Sequence, residues 1–209
     1  MKILCLGDFH LNDKQPVNRI DDYWHTAKKK LEWALATAKR KGASVIIAPG
    51  DFTDSPSISY SAYSDILSIL KENLNSKMVM LSIWGQHDMR YRTVENTALS
   101  AIEVAFANTP EFRILEANEV CDIENASFYG SSYGDEVPNP IEGHFNILII
   151  HRMLIEEKLW NAQEEYEPSN TFLRQHPFDL IVSGDNHQSF ITTTKGNRVL
   201  INCGAMLRS

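Results

Sequence analysis

The chain is poor in the features that would send it into several large classes. It has 3 cysteines, Cys5, Cys121 and Cys203. They are odd in number, far apart, and lie in or beside apolar runs. That excludes a disulfide framework and fits buried, reduced thiols in a reducing compartment. No apolar run approaches the ~18 residues that a membrane span needs. The apolar start Met1-Lys2-Ile3-Leu4-Cys5-Leu6 stops at Gly7-Asp8, too soon for the core of a signal peptide. Surplus positive charge is missing as well. With 20 Lys and Arg against 27 Asp and Glu, the net charge is −7. This argues against a broadly basic nucleic-acid surface and leaves room only for a local one. Repeats, low-complexity tracts and long linkers are absent from the sequence. A length of 209 residues with 43% hydrophobic and 22% charged side chains suits one soluble domain, residues 1–209, with a substantial core.

The pattern along the chain is α/β. Residues 2–6 read as a buried strand. Asp21 and Asp22 can cap a helix that runs to about Lys41, with Trp24, Leu31, Leu35 and Ala38 at helical spacing and Gly42 as the stop. Residues 44–48 form the next strand. A second helix carries Tyr63, Ile66, Leu67 and Leu70 on one face. Residues 77–84 are a third strand and 95–107 a third helix. This alternation predicts a layered fold with parallel strands near its start. The second half is mainly β, with strands at 126–129, 146–150, 179–183, 189–194 and 198–202, and Lys195-Gly196-Asn197 as a hairpin turn. Two packed sheets with helices outside are expected. Residues 153–172, with Leu154, Ile155, Leu159 and Trp160 amid glutamates, read as a helix plus an irregular loop. That segment either walls the site or is an ordinary crossover.

Five short strings close the apolar runs. They are Asp8-Phe9-His10, Gly50-Asp51-Phe52-Thr53-Asp54, Gly85-Gln86-His87-Asp88, His151, and Gly184-Asp185-Asn186-His187. Side chains at the carboxyl ends of strands in open α/β sheets converge on ligands. Asp8 and His10, two apart, project to one side of an extended backbone and can share a metal. Asp51 is the natural bridge, with one ion on each carboxylate oxygen. Gln86 offers a carbonyl oxygen, His151 an imidazole, and Asp185 and His187 repeat the spacing of the first pair. Asp, His and amide donors without cysteine suit two hard-to-borderline divalent ions, and the chain reads as a two-metal hydrolase. His87 is placed for proton work, with Asp88 next to it to orient the imidazole. Asp54 either holds a neighbouring histidine or caps a helix after Asp51. His25, His144 and His176 fall outside every string and read as surface or structural residues. Tyr91, Arg92 and Tyr133 touch a substrate or are plain loop residues.

The ordered strings resemble those of the calcineurin-like metallophosphoesterases, whose pattern is D-x-H, G-D-x-x-D, G-N-H-D, a lone H, then G-H-x-H. The match spans Asp8 to His187. The resemblance implies an α/β, four-layer α-β-β-α sandwich with two mixed sheets. It implies one ion on Asp8, His10, Asp51 and His187, and the other on Asp51, Gln86, His151 and Asp185. It carries onto His87 the contact with phosphate and the assistance to the leaving group. Two positions depart from the pattern: Gln86 replaces asparagine and Asp185 replaces the first histidine of the last string. Both still ligate through oxygen, which tilts the second site toward Mn²⁺ or Mg²⁺ and away from Zn²⁺.

The protein-phosphatase string G-D-x-x-D-R-G is absent. Gly50-Asp51-Phe52-Thr53-Asp54-Ser55-Pro56-Ser57 and Gly184-Asp185-Asn186-His187-Gln188 are instead similar to stretches in SbcD-type nucleases of bacteria and phages. That similarity implies a DNA exo- or endonuclease subunit of recombination or repair in a bacterial or phage-infected cytoplasm. It also implies a homodimer and an SMC-type ATPase partner, bound through a C-terminal capping region that this chain lacks. A small-molecule phosphodiesterase or phosphatase shares all five strings and agrees better with the acidic charge. A non-catalytic phosphate-binding scaffold is the third alternative, motivated by Gln86 and Asp185.

Overall fold

The computed structural model describes residues 1–156 and 166–207. Strand β1 (Ile3–Cys5), helix α1 (Tyr23–Lys41), β2 (Val45–Ala48), α2 (Tyr60–Asn73), β3 (Val79–Ser82), α3 (Ala98–Ala105) and β4 (Phe112–Ile114) make the first half. Their strands pair in the order β1-β2-β3-β4, parallel throughout. A helix crosses over at each step, so every strand re-enters in the same direction. Helix α1 begins and ends where the residues demand. The Asp22 side chain accepts from the His25 N–H at its start, and Gly42 closes it at φ 67°, a left-handed conformation that costs glycine little.

The second half supplies β5 (Val120–Ile123), β6 (Ala126–Ser131), β7 (Phe145–His151), β8 (Leu154–Ile155), β9 (Glu167–Pro168), α4 (Ser169–Gln175), β10 (Leu180–Gly184), β11 (Phe190–Thr193) and β12 (Val199–Asn202). Six of these strands form a sheet in the order β11-β12-β10-β7-β6-β5. Its four central strands run parallel and its two edge pairs run antiparallel. The expectation of two mixed sheets therefore holds for this sheet, while the first is purely parallel.

Alternation along each strand builds the layers. Val45 and Ile47 of β2, Leu81 of β3, Phe128 of β6, and Ile147 and Ile149 of β7 meet in a core between the sheets. Ile46, Ala48 and Met80 face the other way, against Leu31 and Leu35 of α1, Ile66 and Leu70 of α2, and Leu99 and Ile102 of α3. On the far side, Leu148, Ile150, Ile181 and Leu200 pack with Phe172 and Leu173 of α4. Helix, sheet, sheet, helix is the resulting order. Strands buried on both faces explain the unbroken apolar runs of β2 and β7.

Three elements differ from expectation. Strands β4 and β5 are too short to carry a periodic signal, and the sequence reading passed over them. Within 153–172, Leu154 and Ile155 are not helical. They form β8, paired in parallel with β9 and buried, with Leu154 in the outer core. Burial of two adjacent apolar side chains there outweighs helix periodicity. The helix begins later, at Ser169. Leu159 and Trp160 lie outside the described residues.

Candidate metal centre

All five strings meet where the two sheets adjoin. The first two are zipped together beyond the ends of β1 and β2. His10 N–H donates to Asp51 O at 2.9 Å and Leu11 N–H to Phe52 O at 3.0 Å. Residue Gly184 pairs with His151 in the other sheet, so the last two strings emerge side by side. The Asp185 N–H then donates to Asp8 Oδ2 at 2.9 Å, joining the sheets. His10, Asp51 and Asp185 have φ of 49°, 46° and 80°. Such strained backbone in non-glycine residues collects at functional sites.

The glycines of the strings are set by packing. A Cβ on Gly85 would lie 2.1 Å from Asp51 Oδ1, and one on Gly184 would lie 2.5 Å from Asp8 Oδ1. Side chains at either position would displace a donor.

Among the described residues, three overlapping groups of donor atoms fit a metal ion: Asp8, His10 and His187; His10, Asp51 and His87; and Asp8, Asp51 and His151. Within each group the ligand atoms lie within 4.8 Å of one another. The Nε2 atoms of His10 and His187 are 3.1 Å apart. Asp51 Oδ2 is 3.3 Å from His151 Nε2 and 3.8 Å from His10 Nε2. His187 Nε2 is 3.8 Å from Asp8 Oδ2. Asp51 Oδ1 accepts the His87 N–H at 2.8 Å and keeps a second lone pair.

Buried polar atoms are normally satisfied. Here Asp8 Oδ1, Asp51 Oδ2, Gln86 Oε1 and His151 Nε2 are buried without a hydrogen-bond partner. Four such atoms in one place, all oxygen or imidazole nitrogen, are the donor set that divalent cations take. The residues fit the ions.

The electrostatics agree. Burial, with the charge of Asp51 adding, pushes the Asp8 carboxyl up to about 7. Burial works against a charged His151, but its pairing with Asp51 and the charges of Asp8 and Asp185 prevail and lift it to about 9. A buried cation is thus already favoured here by the protein's own field.

A comparison with family models matches residues 1–189 to the calcineurin-like phosphoesterases. The chain belongs to this family. Among solved structures, the crystal structure of TT1561 of Thermus thermophilus superposes with a TM-score of 0.62. It is 14% identical, and the match covers 98% of this chain and 89% of that one, a likeness of fold. No curated protein sequence matches the chain. The phosphoesterase is accordingly a metal-dependent phosphoester hydrolase, with a buried Asp/His cluster able to hold the ions.

The two departures from the family pattern touch each other. Gln86 Nε2 donates to Asp185 Oδ1 at 2.9 Å, and Gln86 Oε1 is left among the orphans. The longer amide spans to the shorter carboxylate, so the pair occupies the position together. Asp185 stands outside the three compact donor groups.

Asp54 takes the first of its two expected roles. Its Oδ1 lies 3.3 Å from His10 Nδ1 and 3.7 Å from His87 Nδ1. No helix follows Asp51 directly, since α2 is capped by Ser59. Asp88 does not take the role expected of it. Its fully buried carboxylate accepts from the backbone N–H of Phe52 at 3.2 Å, Thr53 at 2.8 Å and Gly85 at 3.1 Å, and from Thr53 Oγ1 at 2.9 Å. All its bonds go to backbone and Thr53, and none to the imidazole of His87. The N–H groups of the tight turn outnumber and outreach the neighbouring ring. Sequence reading also missed Asn12, whose Nδ2 donates to Asp54 Oδ2 at 3.0 Å. Its place two residues past His10, next to Leu11 whose N–H bonds Phe52 O, was the available signal.

The other histidines stay outside. His144 bonds Ser127 Oγ, His176 packs on Phe172, and His25 is exposed on α1. The three cysteines are free, and burial pushes the Cys5 thiol up to about 12. No described helix is long and apolar enough to cross a membrane.

Proposed function

We propose that this phosphoesterase cleaves phosphodiester bonds in DNA with two divalent ions, Mn²⁺ or Mg²⁺. The observation that carries the reading is a cavity of about 400 Å³ opening on His151 and Asp185, walled by Arg92, Tyr133 and Tyr166 and by Arg152 with its partner Glu167. On a chain of net charge −7, cationic and aromatic side chains gathered beside an anion-binding centre suit a polyanion with π-faces. The similarity of the Asp51 and Asp185 strings to SbcD-type nucleases supports the same substrate.

The ions, when bound, supply Lewis acidity to the phosphoryl oxygens and to water. The chain supplies the rest. His87 Nδ1–H donates to Asp54 O at 3.1 Å, which orients the ring; as the doubly protonated imidazolium it hands its Nε2 proton to the leaving oxygen and is left as the neutral Nδ1–H tautomer. Asp54 sits between the rings of His10 and His87 and is itself held by Asn12. Gln86 and Asp185, both oxygen donors, favour the harder ions.

With so few spare cations, the domain alone binds DNA weakly and with a shallow salt dependence. A second copy or an SMC-type ATPase would add the missing surface. Contacts limited to phosphate make cleavage independent of sequence. The acidic charge favours a second reading, hydrolysis of a small phosphodiester. The two are separated by kcat/KM with Mn²⁺ on an oligonucleotide and on cyclic and linear mononucleotides. The nuclease reading expects the oligonucleotide to win. A preference of more than about tenfold for a mononucleotide, unreversed by a partner or dimer, hands the site to the second reading.

A further inference from the structure

A two-residue turn beside the metal donors has chemistry that the reaction leaves unused. Arg90 N–H donates to Thr93 O and Thr93 N–H to Arg90 O, both at 2.9 Å. Between them Tyr91 and Arg92 have φ of 50° and 64°. Reciprocal bonds around two positive-φ residues are the pattern of a type I′ hairpin turn. That turn favours Asn-Gly, because larger side chains are strained in the left-handed region. Here it holds a tyrosine and an arginine. The turn is braced: the Arg90 guanidinium donates to Ser57 Oγ and the Thr93 hydroxyl to Arg90 O. It starts two residues after Asp88, whose buried carboxylate anchors that stretch.

The strained position delivers Arg92 to the lining of the cavity at His151 and Asp185. Tyr133 lines the same cavity with its ring centroid 6.4 Å from that of His151, and it is 38% exposed. The other arginine there is already engaged. Arg152 contacts Glu167 Oε2 at 3.5 Å and Asp135 O at 3.2 Å, and lies over the ring of Phe172. Arg92 has no hydrogen bond or ion pair among the described residues. One uncommitted guanidinium and one open aromatic face therefore stand together at the edge of the metal centre.

We propose that Arg92 and Tyr133 form a subsite for the nucleotide unit adjoining the scissile phosphate. The guanidinium pairs with the neighbouring phosphate and the tyrosine ring stacks on the base. The turn keeps Arg92 in place before substrate arrives, so its backbone strain serves binding. This rests on the phosphodiesterase reading above, and the test keeps the two apart.

Steady-state KM and equilibrium binding are measured on the Mn²⁺-loaded protein with oligothymidylate and with a cyclic mononucleotide. Arg92→Gln should raise KM for oligothymidylate by about tenfold or more, and Tyr133→Ala should do so for both probes, while Tyr133→Phe stays near the wild type because it keeps the ring. The double replacement Tyr91→Asn with Arg92→Gly should raise the thermal midpoint, since it suits the turn, and still weaken oligothymidylate binding. Stabilisation with weakened binding is a pair of signs that simple misfolding does not produce. If the wild type takes only the cyclic nucleotide, the DNA reading fails, and Tyr133→Ala then decides the subsite on that probe alone. Constants within about twofold of wild type in Arg92→Gln and Tyr133→Ala, on whichever probe the wild type accepts, overturn the subsite. So does failure of the wild type to bind either probe.

Discussion

His87 and its neighbours show how single side chains divide the work. The ring is tied at Nδ1 to Asp54 O, and its centroid stands 4.8 Å from that of His10. Replacing it removes a proton donor without touching the orphaned donor atoms. His87→Ala should keep both ions and lower kcat by ~10²–10⁴, the usual contribution of general acid catalysis. Metal content by mass spectrometry beside turnover checks it, and wild-type turnover in that variant rejects the role. Proton release tests the donors themselves. In the metal-free protein His151 is held up to about 9 and Asp8 up to about 7, so both carry protons at pH below 7. Ligation needs neutral imidazole and ionised carboxylate. Metal binding should therefore release protons, most below pH 7, fewer between pH 7 and 9, and almost none above. Affinity should rise with pH by about tenfold per unit for each proton displaced. Calorimetric titration of Mn²⁺ in buffers of different ionisation enthalpy reads this directly. Heats that are independent of the buffer at pH 7 would contradict it.

At the scale of elements, Asp88 matters more as a clamp than as a catalytic partner. It fastens the stretch after β2 to the stretch after β3 by four hydrogen bonds. Asp88→Asn leaves part of that buried donor set unmatched and should destabilise the fold by roughly 2–3 kcal/mol, the cost of orphaned buried donors. Denaturant unfolding measures it. Unchanged stability with lost turnover would instead restore the role of orienting His87. This clamp marks the boundary of what the sequence makes legible. Helices α1 and α2, the longer strands of both sheets and all five strings were readable, because long apolar periods and strand-end Asp and His residues are local signals. The direction of the Asp88 side chain, the bond between Gln86 and Asp185, and the reach of Asn12 to Asp54 are contacts across loops, and spacing along the chain does not encode them. Strands β4 and β5 went unread for a different reason. With three and four residues they rely on neighbours for their pairing and show too few side chains to display a period.

Among the described residues, the two large sheets are joined by a buried polar seam at one end of an otherwise apolar interface. Asp8, His10, Asp51 and Gln86 follow strands of the parallel sheet, and His151, Asp185 and His187 end or follow strands of the mixed one. The ions would therefore stitch the layers together as well as serve the reaction. Removing them leaves the buried acids of Asp8 and Asp51 to repel each other, so chelation should lower the thermal midpoint and added Mn²⁺ should raise it with concentration. The central claim is that these residues hold two ions and share Asp51 between them. Anomalous scattering from a Mn²⁺-soaked crystal tests it most directly. The account predicts two peaks ~3.5–4 Å apart, one against Asp8, His10 and His187, the other against His151, Gln86 and Asp185, with Asp51 touching both. A single peak at saturating Mn²⁺, with Gln86 and Asp185 still bonded to each other and turned from it, would contradict it.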